Sequence, residues 1–195
     1  SEDKDIPVLY SHIGWSHVQL GRYGDAERIY LAALQRGIES ADIHADLGLV
    51  YYRQGDFAKA EKELLSAIDQ EGDSVAAHYR LGDVYRRTER YPEAVEHYRR
   101  VLEIEPGYIY AMNGMAMALA LSGKDQEALP AFRNAVEIAP EMAPGYLNLA
   151  IHLERMKRFS EALAAYEKFM DLSSDGGFTR ERQIAAAAIK RLQRR

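Results

Sequence analysis

A period of 34 residues constrains this chain more than any other feature of its sequence. The stretch Ala41–Ser74 (ADIHADLGLVYYRQGDFAKAEKELLSAIDQEGDS) lies over Val75–Tyr108 (VAAHYRLGDVYRRTERYPEAVEHYRRVLEIEPGY) without a gap. Leu47-Gly48 falls on Leu81-Gly82, Tyr51 on Tyr85, Phe57 on Tyr91, Ala60 on Ala94 and Leu64 on Tyr98. The same frame runs five times from Pro7, as 7–40, 41–74, 75–108, 109–142 and 143–176, with no insertion or deletion. Ala26, Ala60, Ala94, Ala128 and Ala162 occupy one small slot in every copy. A chain written this way stacks like units on their neighbours instead of wrapping one shared centre.

Each unit reads as two helices. Leu47 and Tyr51 keep a 3.6-residue spacing that Gly55 stops, and Phe57, Ala60, Leu64, Ala67 and Ile68 do the same in the second half. Gly21, Gly55 and Gly123 stand in the turns between the halves, where glycine takes the left-handed conformation that ends a helix. Pro106 and Pro140 close the third and fourth copies, because proline cannot continue a helix interior. A helix of about fourteen residues is marginal alone in water, so stacking has to stabilise it. Ser1–Ile6 reads as a polar, frayed lead-in. Residues 177–195 read as a loop followed by a capping helix, with Thr179 as N-cap. Its stripe of Ile184, Ala185, Ala188, Ile189 and Leu192 faces inward, and Arg180, Arg182, Arg191, Arg194 and Arg195 lie mainly outside it.

Charge and motifs exclude several functions. A net charge of −5 is too mild and too acidic for nucleic acid as the main partner. The basic groups Arg86, Arg87, Arg90, Arg99 and Arg100 are balanced by Glu89, Glu93, Glu96, Glu103 and Glu105. No apolar run approaches the ~20 residues of a membrane span, and the chain has no cysteine for disulfides or thiolate metal sites. Starting at Ser1, it reads as a processed or trimmed piece. The compartment stays open, with the cytoplasm slightly favoured over a periplasmic or tethered location. His44 and His78 share a repeat position with Met112 and Tyr146, which marks a packing slot and not a ligand slot. Glu61 and Glu63 read as solvated. With no P-loop, dinucleotide fingerprint or Gly-x-Ser-x-Gly motif, no enzyme, metal or cofactor is expected.

The Leu-Gly, Tyr, Ala, aromatic and closing-Pro pattern resembles the tetratricopeptide repeat. That resemblance covers residues 7–176 and implies an all-α, right-handed superhelical solenoid of antiparallel helix pairs. It also implies that the first helix of each pair lines a concave groove. Mapped onto this chain, the groove residues expected to bind a peptide are Trp15, Leu49, Tyr52, Tyr79, Arg80, Asp83, Arg87, Tyr110, Asn113, Met117, Asn148 and Ile151. Arg80 and Asp46 hold the same position in adjacent copies, which lets them pair. The family's chaperone-tail carboxylate clamp is absent, since Ser11, Trp15, Asp46 and Ala76 stand where Lys, Asn, Asn and Lys belong. Only Asn148 occupies the family's asparagine-ladder position. The expected role is a non-catalytic adaptor that captures a peptide segment of a protein partner other than a chaperone tail. Two alternatives stand beside it: a self-associating or envelope/pilus-type assembly scaffold using convex or end surfaces, and the targeting module of a larger enzyme.

Overall fold

The 34-residue frame reappears as helix boundaries. In a computed structural model, which describes residues 2–174 and 177–194 and side chains from Val8 onward, eleven helices and no strand occur among the described residues. They are α1 (Glu2–Gln19), α2 (Tyr23–Gln35), α3 (Ala41–Gln54), α4 (Phe57–Gln70), α5 (Val75–Arg87), α6 (Tyr91–Ile104), α7 (Ile109–Leu121), α8 (Asp125–Ile138), α9 (Ala143–Arg155), α10 (Phe159–Leu172) and α11 (Thr179–Leu192). The all-α, tandem helix-pair architecture implied by the repeat is the one adopted. Two units separate at Glu105/Pro106: α1–α6 form one and α7–α11 the other. In each, a first helix packs on the second helix of its own copy, and that second helix packs on the first helix of the next.

The hairpins are closed by a small residue set against a large one. Gly14, Gly48, Gly82, Ala116 and Ala150 share one repeat position, and Tyr30, Leu64, Tyr98, Phe132 and Tyr166 share another. A Cβ added at Gly48 would sit 2.6 Å from the Leu64 Cγ and 3.4 Å from the Ala60 carbonyl oxygen. One added at Gly82 would sit 2.8 Å from the Tyr98 ring. Leu64 and Tyr98 are fully buried. Glycine here lets the two helix backbones approach closely enough for the large side chain to lie across the gap.

The turn between paired helices also keeps its phase. Gly21, Gly55 and Gly123 have positive φ, as do Glu89 (φ 62°) and Lys157 (φ 60°) at the same repeat position. The turn geometry is imposed by the hairpin, and two copies adopt it without glycine. Asp56 caps α4 by accepting from the Lys59 N–H at 3.2 Å, and Ser40 caps α3 by accepting from Ile43 N–H at 3.3 Å.

The ends differ from expectation in several places. The helical path of α1 already includes residues 2–6, placed in a frayed lead-in by sequence. Phe178, not Thr179, stands at the N-cap of α11, because Thr179 is already its first helical residue. Ala185, Ala188 and Leu192 bury the inner face of α11, but Ile184 turns outward and is exposed. Arg182, expected on the outer face, donates to the Met170 carbonyl at 2.6 Å and the Ser173 hydroxyl at 2.9 Å. It thereby satisfies the end of α10. Residues 175 and 176 at the close of the fifth copy, and Ser1 and Arg195 at the ends, lie outside the described residues. At the other end Leu9 is 56% and Ile13 39% exposed, although the matching Ile43, Ala77, Leu47 and Leu81 are fully buried against a preceding helix pair.

Two substitutions test this account of the hairpin by chemical denaturation. Gly48→Ala should lower stability by about 1–2 kcal/mol, the overpacking cost exceeding the gain in helix propensity. Lys157→Gly should raise stability by about 0.5–1 kcal/mol, because the left-handed backbone is then unstrained.

Candidate functional site

The inner faces of the first helices differ in chemistry between the two units. In the α1–α6 unit, tyrosine hydroxyls from second helices emerge there and meet carboxylates. The Tyr30 hydroxyl donates to Asp46 at 3.2 Å, and Arg80 donates to the other Asp46 oxygen at 3.2 Å. The Tyr98 hydroxyl donates to Asp83 at 2.6 Å, and Arg86 completes the triad at 2.9 Å from Asp83. Burial pushes the Tyr30 and Tyr98 phenols up, and the adjacent carboxylates add to it. Burial also raises Asp46, while Arg80 and the Tyr30 hydroxyl oppose that.

Several expected groove residues are engaged by these and neighbouring contacts. Arg80 and Asp83 belong to the triads. Tyr79 packs on Tyr98 with ring centroids 6.0 Å apart, Tyr52 packs on Phe57 at 5.8 Å, and Arg87 lies 5.7 Å over the Phe57 ring. Leu49 is half-buried, and Trp15 is exposed on α1. Carboxylates expected to be solvated are also paired. Glu61 accepts from the Tyr85 hydroxyl at 3.0 Å and from Arg90 at 2.8 Å, and Glu63 meets His44 Nδ1 at 2.7 Å.

In the α7–α11 unit three expected residues converge. Met117, Asn148 and Ile151 line an apolar cavity of about 170 Å³ between α7 and α9, together with Ala120, Leu121, Phe132, His152 and Arg155. Asn148 Nδ2 donates to Asn113 Oδ1 at 3.2 Å and to the Met117 sulfur at 3.6 Å, which brings Asn113 to the same site. Phe132 fills the position that holds Tyr30 or Tyr98 in the other unit, and it has no hydroxyl to recruit a carboxylate. Residues 109–121 contain no Asp, Glu, Lys or Arg. The charges on α9 are engaged: Glu154 accepts from the Tyr166 hydroxyl at 3.0 Å and from Arg191 at 2.6 Å. Arg155 donates to the Ala120 carbonyl at 2.6 Å and to Asp125. Tyr110 stands apart, 59% exposed, against the edge of Tyr108.

Sequence reasoning did not single out Ala120, Leu121, Phe132 or His152. The available signal was the pairing of a charge-free first helix with a phenylalanine in the tyrosine slot. Among the described residues no three His, Asp or Glu side chains gather as a metal site, and no described helix is long and apolar enough to cross a membrane.

Stacked helix hairpins with an open apolar site on their first helices define a repeat protein of the interaction-module class. The chain belongs to the tetratricopeptide repeat family, whose model matches residues 13–72, 45–109 and 113–176. No curated protein matches its sequence. Similar solved structures include TTC0263, a thermophilic tetratricopeptide repeat protein of Thermus thermophilus. It is 18% identical with a TM-score of 0.78, over 94% of this chain and 98% of that one. MamA from Desulfovibrio magneticus RS-1 is 19% identical with a TM-score of 0.78, over 89% and 98% of the two chains. YrrB, described as a tetratricopeptide repeat protein with an unusual peptide-binding site, is 22% identical with a TM-score of 0.73, over 97% and 94%. At these identities the likeness is one of fold.

The repeat position of His44 and Glu63 carries a histidine pair one copy later. His78 donates from Nε2 to the Gly72 carbonyl at 3.0 Å, which leaves its Nδ1 as the acceptor for His97 Nδ1–H at 2.9 Å. Burial first, then the neighbouring His78 and Arg90, hold His97 below the ordinary histidine range, while Glu96 and Glu61 pull it upward. Well above the ordinary value of about pH 6.5, folded and unfolded chains are both neutral here. Below it the unfolded chain takes up a proton that the folded one resists, so stability falls with pH. Burial holds His152 down with the same sign. Urea midpoints should therefore drop between pH 7.5 and 5.5, and His97→Gln should make that drop shallower.

Proposed function

We propose that this chain is a non-catalytic adaptor that holds a peptide segment of a partner protein on the first helices of its repeats. The supporting observation is the cavity between α7 and α9, where Met117, Leu121 and Ile151 surround open apolar space and Asn113 and Asn148 stand beside it. Leu121 and Ile151 are 51% and 47% exposed. Exposed apolar groups around a recess, with polar groups at its edge, are the chemistry of a binding site and not of a packed core. The α1–α6 unit contributes differently. Its Tyr30–Asp46–Arg80 and Tyr98–Asp83–Arg86 triads hold their charges to one another, so that face supports shape and polarity more than ion pairing with a ligand.

Panning a random peptide library against the intact chain checks this reading. Selected peptides should lose about tenfold or more in affinity toward Ile151→Glu and Leu121→Glu, two surface substitutions that leave circular dichroism and melting unchanged. Binders indifferent to both would put the site elsewhere and end the proposal.

A further inference from the structure

Resting on the peptide-capture reading, we infer that the α7–α9 cavity is selective for one benzene-sized apolar side chain of an uncharged, extended segment, and that the Asn113–Asn148 pair holds that segment's backbone. Three observations lead to this.

The first is size. At about 170 Å³ the cavity matches an engineered protein cavity of ~150 Å³ known to accept benzene, and it falls below the ~300 Å³ at which cofactor and drug-sized sites begin. A leucine, isoleucine, methionine or phenylalanine side chain fits it, and a nucleoside is too large.

The second is charge. α7 carries none, and Glu154 and Arg155 on α9 are already held by Tyr166 with Arg191 and by Ala120 with Asp125. An ionic side chain brought here would lose hydration and meet only Arg155, whose charge Asp125 already matches, which costs more than the apolar contact returns. The wall therefore favours hydrocarbon over charge.

The third is the state of the amides. Both Asn148 Nδ2 hydrogens are engaged, one by Asn113 Oδ1 and one by the Met117 sulfur. Among the described residues, Asn148 Oδ1 and Asn113 Nδ2 have no protein partner. They offer one acceptor and one donor on neighbouring helices, the complement of the N–H and C=O that each residue of an extended backbone presents.

The experiment uses the full chain with ¹³C-labelled methyl groups on Met, Leu and Ile, titrated with blocked peptides Ac-Ala-Ala-X-Ala-Ala-NH₂. Peptides with X = Leu or Phe should move the Met117, Leu121 and Ile151 methyl signals, and X = Lys or Asp should bind about tenfold or more weakly. Asn148→Leu should weaken every X alike. Charged peptides binding as well as X = Leu would overturn the selectivity and leave peptide capture standing. Methyl signals untouched by any peptide, in a chain that also yields no library binders, would overturn both. Shifts of these signals with protein concentration alone would identify a second copy as the occupant and likewise overturn the inference.

Discussion

The close approach of two helices within each hairpin is the constraint on which the rest of this structure depends. Without side-chain bulk at Gly14, Gly48 and Gly82, the large residue opposite can lie flat across the gap. Short helices that are marginal in isolation thereby gain a buried seam. A single seam is still too little, so within each unit a hairpin also leans on the next through its second helix. Phase is preserved because an inserted residue would rotate the glycine away from its bulky partner. The left-handed turn residue recurs for the same reason, even where Glu89 and Lys157 must adopt it.

That same seam decides what each hairpin shows on its first-helix face. A tyrosine in the bulky slot ends in a hydroxyl, which has to be satisfied when buried. Asp46, Asp83 and Glu154 meet this need, and each carboxylate then holds an arginine. Where the slot holds Phe132 no such chain starts, and the surrounding surface stays apolar. One aromatic oxygen thus separates a face knitted together by its own charges from a face open to hydrocarbon.

How much of this was legible in the sequence follows from the range of each interaction. The frame, the helix pairs and the glycine turns could be read because they rest on residues at fixed spacing, such as Gly48, Gly55 and Leu64. The left-handed Glu89 and Lys157 could not, since neither residue type announces that conformation. The pairing of Glu61 with Tyr85 and Arg90, and of Glu63 with His44, depends on which way long side chains turn across a helix interface, and spacing is silent on this. The family pattern pointed to Met117, Asn148 and Ile151 because it describes first helices. It missed Phe132, which reaches the cavity from a second helix, and Ala120, whose contribution is its small size.

The two ends of the array have different capacities for extension. At one end α11 turns Arg182 onto the last carbonyls of α10 and buries only three small or medium apolar residues of its own. At the other, Leu9 and Ile13 stand at the positions that later copies use to receive the hairpin before them. An engineer adding repeats would therefore find a ready seat beneath α1, whereas growth beyond α10 would first require removing its lid.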